Sequence, residues 1–457
     1  MSGNGRSCPC RDPLPPAGGE GRPAGVPVGE FTHLWPPLLL VLFFLGFSLG
    51  QEPLELAIGQ WRALMVSPSL VGTDALAAAR PAGAFLNAAL LGAVGLVIMR
   101  LLRPGKPGYE VLCLFLWIGF GLAGKNTFNV WPPFLGVVLY ARVAGRPLRE
   151  LVAPLFLGTT LAPIVSQYAF GVGLGGPGLA LGIGLGLGSG FLVAALAGHV
   201  YTLHLGYNLY NVGTAAGFIG IVCAMTMRGF GLENQPVTAW STAWTVPLTW
   251  LMGTFFLFLF LLGLLEGGAW RGWRRILACC GRLPSDFIAL AGWGGTLVNM
   301  GVLGLLGLAY VRMVGGAVNG PVIAGLLALS GFGTLGKHPG NCLPIMAGVF
   351  VICLPKIWSP ADPGPLLAAL MCTTLAPFCG RFGAVAGFVA GALHLPMAMH
   401  VGQIHGFLNL YNNGFAGGLT MLVIVGVLKG LRPDLLEEPV LVRPRPPNAP
   451  LSAAPSR

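Results

Sequence analysis

His204-Leu-Gly-Tyr-Asn208-Leu-Tyr-Asn211 gathers imidazole, amide and phenol groups in one short run, and the run occurs twice: residues 405–412 read His405-Gly-Phe-Leu-Asn409-Leu-Tyr-Asn412. Such groups trade hydrogen bonds with a polar solute, and an imidazole can also move a proton or ligate a metal. A helix through either copy puts His204, Asn208 and Asn211, or His405, Asn409 and Asn412, on one face. A further histidine lies upstream of each, His199 and His400. A second doubled set is Gly124-Lys125-Asn126-Thr-Phe-Asn129 ahead of Pro132, and Gly336-Lys337-His338-Pro-Gly-Asn341 ahead of Pro344. The chain has only five lysines, and two of them fall at these equivalent places. Their ammonium groups would attract an anion. Thr159-Thr160 and Thr373-Thr374 add paired hydroxyls.

Each of these has a plainer reading. A lysine can snorkel to an interface, a threonine can satisfy a carbonyl of its own helix, and His or Asn can join helix to helix. Asp74 and Asp286, each after Thr or Ser, suit helix starts; as counter-charges they would face a lysine. The histidines lack the His-x-x-x-His spacing and an acidic or Cys partner that a zinc site favours, and no Ser/His, zincin or paired-carboxylate pattern is present. No cofactor and no enzyme are expected.

The elements that must hold these groups follow from composition. Of 457 residues, 54% are hydrophobic and 9% charged, with 72 glycines; soluble domains carry roughly 25% charged residues. Apolar runs reach the roughly 20 residues that cross a bilayer. The net charge of +11 sits in short loops and tails, where it sets orientation rather than binding nucleic acid. The ten cysteines are scattered without metal or disulfide spacing, and Cys8-Pro-Cys10 lies in the N-terminal tail.

A shift of 212 residues aligns 74–139 with 286–351 without a gap, matching Asn87 with Asn299, Lys125 with Lys337 and Asn129 with Asn341. Thr-Thr-Leu-Ala-Pro returns at a shift of 214, and the His/Asn run at 201. The division expected is a disordered cytoplasmic tail (1–30), a leading helix with an external loop (31–70), a first unit (71–227), a joining helix with a basic cytoplasmic loop (228–282), a second unit (283–430) and a second tail (431–457). Arg6, Arg11 and Arg22 before the first apolar run, and Glu52 and Glu55 after it, place the N-terminus in the cytoplasm. An odd number of spans from one unit to the next inverts the second, and the basic C-terminal tail then also lies inside. The fold class is therefore all-α integral membrane, with about ten full transmembrane helices, two inverted repeats and two re-entrant helical hairpins. The hairpins are read from the short apolar stretches on either side of Lys125 and Lys337.

Gly-Lys-Asn-x-x-Asn, Thr-Thr-Leu-Ala-Pro and the doubled His-x-x-x-Asn-Leu-Tyr-Asn resemble an uncharacterised family of bacterial multi-pass membrane proteins, a domain of unknown function, over about residues 34–430. More distantly, Gly206-Tyr-Asn208-Leu-Tyr-Asn211-Val-Gly-Thr-Ala-Ala-Gly217 is similar to a stretch of bacterial urea transporters, which implies architecture alone. The expected function is a plasma (inner) membrane channel or transporter passing a small polar or anionic solute between the two units. Its path would be lined by the Lys, Asn, His and Thr residues named above. The alternative is a metal-dependent membrane enzyme or metal-ion carrier built on the four histidines. Membrane lipid and the solute are the expected partners, with homo-oligomerisation left open.

Overall fold

In hydrocarbon a helix satisfies its backbone groups within its own segment, so long apolar runs with few charges become helices. The computed structural model describes residues 34–236 and 239–436, all of them helix, turn or coil. The expected N-terminal tail, Cys8, Cys10, Arg443 and Arg445 lie outside the described residues. The first half runs α1 (Trp35–Gln51), α2 (Leu54–Met65), α3 (Ala75–Leu102), α4 (Pro107–Gly119), α5 (Trp131–Val143), α6 (Val152–Leu157), α7 (Ala162–Ser166), α8 (Gly176–His204) and α9 (Asn211–Arg228). The second runs α10 (Thr245–Leu265), α11 (Ala269–Leu277), α12 (Phe287–Met313), α13 (Gly320–Gly331), α14 (Pro339–Cys353), α15 (Pro363–Met371), α16 (Ala376–Phe382), α17 (Ala384–Ile404) and α18 (Asn412–Leu431).

The exterior is oily, and the largely apolar interior also holds polar and charged side chains. Leu38, Leu42, Leu192, Val222, Trp250 and Phe258 face outward, while Lys125, Lys337, His204, His405, Asn208 and Asn409 are buried. An apolar outer surface with lysines inside departs from a water-soluble protein and suits an all-α integral membrane fold. Eight helices among the described residues are long and apolar enough to cross, or nine if α1 and α2, bent by 111°, form one span. This is below the expected ten. Asn211–Arg228 is absent from that set, its eighteen residues including Asn211, two threonines and Arg228, and α1 stops at Gln51, shortly before Pro53.

Two sequence expectations change here. The stretch up to Arg80 is not a solvated external loop: it contains α2, which packs along α3, and Ser69, Leu70, Thr73 and Asp74 are buried. A Cβ on Gly83 would sit 2.4 Å from Gln60 Cβ, so this contact needs glycine. Likewise the basic stretch after the joining helix forms α11, packed on α12, with Gly295 against Gly272 and Trp273. The leading and joining segments thus repeat each other, α1 to α3 packing as α10 to α12 do. Cys279 and Cys280 are each engaged in a disulfide, which the cysteine spacing gave no reason to expect.

The halves interlock through helix starts. Asp74 caps α3 and also accepts from Gly320 N at the start of α13 (3.2 Å). Asp286 caps α12 and accepts from Gly108 N at the start of α4 (3.1 Å). Both aspartates therefore serve helix N-termini, whose free N–H groups and dipole favour a carboxylate. Neither faces a lysine. Since α4 starts just after α3 ends, the start of α12 lies beside the finish of α3, and the start of α3 beside the finish of α12.

Candidate functional site

The doubled His/Asn run is not the continuous helix that its spacing suggested. In the first half α8 ends at His204, Leu205 and Gly206 turn left-handed (φ 51° and 77°), and α9 starts at Asn211. In the second, Gly406 and Phe407 do the same (φ 59° and 60°) between α17 and α18. The glycine at each turn adopts that conformation without a Cβ clash. Breaking a helix in the interior frees backbone groups that need partners, and the opposite half supplies them. Leu209 N donates to Thr374 O (2.9 Å) and Tyr210 N to Thr374 Oγ1 (3.0 Å); Leu410 N donates to Thr160 O (3.0 Å) and Tyr411 N to Thr160 Oγ1 (2.8 Å).

The asparagines complete the exchange. Asn208 Nδ2 donates to Gly414 O (3.1 Å) and Asn409 Nδ2 to Gly213 O (2.9 Å). Thr160 donates to Asn409 Oδ1 (2.8 Å), and Thr374 donates to Asn208 Oδ1. Every one of these bonds has a twin with the halves swapped, which is the property of a two-fold, self-complementary interface. Gly213 and Gly414 meet at its centre, where a Cβ on either would lie 2.9 Å from a tyrosine Cβ of the other half.

The remaining candidates divide. His204 Nε2 and His405 Nε2 pair with Asn211 Oδ1 (3.0 Å) and Asn412 Oδ1 (2.9 Å), and those asparagines donate onward to Ala197 O and Ala398 O. They clamp the helix breaks. His199 and His400 are exposed on α8 and α17, away from the cluster. Thr159 and Thr373 donate to Phe156 O and Leu370 O in their own helices. Asn126 and His338 are buried, each with its backbone N–H bonded to Asn129 Oδ1 or Asn341 Oδ1, and Asn129 and Asn341 donate to Gly124 O and Gly336 O. These four shape the loops.

Both lysines are buried, and each reaches into the other half. Lys125 Nζ donates to Tyr411 Oη (3.0 Å) and Lys337 Nζ to Tyr210 Oη (2.6 Å). Aromatic faces surround them: Phe120 and Tyr411 at 5.5 and 4.9 Å from Lys125, Phe332 and Tyr210 at 4.9 and 4.5 Å from Lys337. An ammonium has three protons to give. Among the described residues, no acceptor takes the other two at either lysine and no carboxylate pairs with it. The lysine loops are held by Asn87, which donates to Gly121 O and Lys125 O (2.8 and 2.9 Å), and by Asn299, which donates to Gly333 O and Lys337 O (both 2.8 Å).

Two cavities approach this centre. The first, about 260 Å³, is bounded by Leu283 and Pro284, beside the start of α12, and runs inward past Leu112 and Leu116 to Tyr210 and Tyr411. The second, about 240 Å³, is bounded by Val71 and Gly72, beside the start of α3, and runs past Asn412 and Asn413 to Leu410. Their linings correspond, Leu283 to Val71, Leu209 to Leu410 and Asn211 to Asn412, and both include Phe120 and Met371. Of the candidates read from sequence, Asn211 lines the first of these cavities and Asn412 the second. The lysines stand one hydrogen bond behind the first, screened by the tyrosines. Sequence reasoning missed Tyr210, Tyr411, Phe120, Met371, Asn87 and Asn299 as site residues; the tyrosines occur in both copies of the His/Asn run, and that was the available signal.

Compared with known proteins, the chain matches one family model twice, over residues 55–229 and 265–430; its description is "Protein of unknown function (DUF1576)". No curated protein matches, and no solved structure does, so the likeness to urea transporters finds no support.

Proposed function

The chain belongs to the DUF1576 family of proteins of unknown function, so function must be argued from the site, and we propose a membrane transporter or channel for a small polar or anionic solute. The observation that carries this reading is the pair of equivalent cavities that start beside opposite helix ends and share Phe120 and Met371. A scaffold has no need of two matched half-paths. Binding sites where duplicated halves meet, formed by interrupted helices, are a transporter architecture, and the breaks at Leu205–Gly206 and Gly406–Phe407 supply the interruption.

Inversion of the two units is part of the proposal, supported by the crossed bonds of Asp74 and Asp286 to the starts of α13 and α4. So is re-entry: α4 and α5 leave from and return to the end that holds Tyr109, since Ala153 in α6 shares a cavity wall with it. Arg100, Arg103, Lys106, Arg271, Arg274, Arg275 and Arg282 cluster near that end, which makes it cytoplasmic under the positive-inside rule. We place the protein in the plasma membrane with both termini inside. The metal alternative draws no support, because His204 and His405 are engaged by asparagines while His199 and His400 face outward.

The test is solute flux in liposomes with Met371→Trp, which fills the shared wall, and Met371→Ala, which widens it. Flux should fall with the first and hold or rise with the second. Identical flux in both would sink the proposal.

A further inference from the structure

We propose that the solute is a small organic monoanion, an apolar body carrying one carboxylate, gripped at the hydroxyl of Tyr411 with Tyr210 beside it. This rests on the transport reading and narrows it. The first cavity is walled by Leu112, Leu116, Phe120 and Phe332, with Leu209 beside them. Its polar residues are few, and two of them, Tyr210 and Tyr411, carry the hydroxyls that bond the lysines.

Each hydroxyl oxygen already accepts from an ammonium. A phenol bound that way has its own proton left to donate, and the adjacent positive charge strengthens that donor. The Tyr210 hydroxyl shares a hydrogen bond with the Thr373 hydroxyl, whereas among the described residues no acceptor takes the proton of Tyr411. The cavity wall therefore holds one charge-backed O–H donor without an acceptor, that of Tyr411, with idle ammonium protons behind it. Donors without acceptors, in a setting where an unpaired cation is costly, call for an anionic acceptor.

The walls decide what carries the charge. An inorganic anion such as sulfate would give up its hydration and meet mostly hydrocarbon. An uncharged polar solute such as urea would leave the lysines uncompensated. A carboxylate on an apolar body satisfies both features, since its tail is removed from water by the leucines and phenylalanines. The volume of about 260 Å³ falls just below the range of drug-sized pockets, which start at roughly 300 Å³, so the body is small.

Purified protein in liposomes at alkaline pH, where little acid leaks across as the neutral form, is tested with labelled benzoate, sulfate and urea. Benzoate uptake should saturate, and Tyr210→Phe with Tyr411→Phe should cut it about tenfold, the loss of a charge-assisted hydrogen bond. If the double variant fails to fold, Tyr411→Phe alone is measured in the same way and should still reduce uptake. Uptake of sulfate or urea without benzoate would overturn the monoanion while leaving transport standing. No uptake of any probe would remove both. Benzoate uptake unaltered in a folded tyrosine variant would overturn the hydroxyl grip.

Discussion

Lys125 and Lys337 each give one proton to a tyrosine and hold two in reserve, an arrangement that costs stability. Replacing both by Met keeps the aliphatic stem and removes the buried ammonium. Thermal unfolding in detergent should then occur at higher temperature while solute flux falls by about tenfold or more. A fall in both would mark the lysines as structural. Asn87 and Asn299 make the opposite case. Asn87→Ala or Asn299→Ala strands two loop carbonyls, at a cost of about 2 kcal/mol each, read as a lower melting temperature. At this scale the sequence announced the lysines, because a rare residue type recurred in register. It concealed their partners: Tyr411 is 286 residues from Lys125 and Tyr210 is 127 from Lys337.

Glycine spacing fixes how the helices meet. A Cβ on Gly190 of α8 would lie 1.9 Å from Pro133 O in α5, and one on Gly391 of α17 would lie 2.1 Å from Ile345 O in α14. Close backbone approach of this kind is how membrane helices associate when no water drives them together. Gly190→Ala should therefore destabilise by about 1–3 kcal/mol or more. Gly184→Ala, on the same helix with nothing within 4 Å, should be neutral or gain up to about 1 kcal/mol from helix propensity. Equal melting temperatures for the two variants would contradict the packing described. The helix breaks were less legible. His204, Asn208 and Asn211 fit a helical face by spacing, but Gly206 and its neighbour turn left-handed because the other half offers Thr374 to the freed amides.

For the whole molecule the reciprocal bonds imply that neither half is complete alone. Residues 1–236 and 237–457 expressed separately should each be degraded or aggregated. Co-expression should restore a folded pair, seen as co-purification with a single thermal transition. Folding of a lone half would show the exchanged bonds to be dispensable. Sidedness gives a second check: a membrane-impermeant label at Arg275→Cys should react only from the cytoplasmic side, and one at Asp362→Cys only from outside. The reverse pattern, or both on one side, would refute the inverted arrangement.

Composition and hydropathy alone determined that this chain is helical and lives in lipid, since a charge content this low leaves no other solvent for it. The near-identical registers at 74–139 and 286–351 likewise fixed its duplication. Both are properties of the chain read locally. What only the tertiary structure decided is which groups meet: Tyr210 with Lys337, Thr160 with Asn409, Gly213 with Gly414. Those contacts join residues more than a hundred positions apart, and spacing within one helix carries no information about them. The docking of the two halves supplies it, bringing each broken segment the hydrogen-bond partners that its own half lacks.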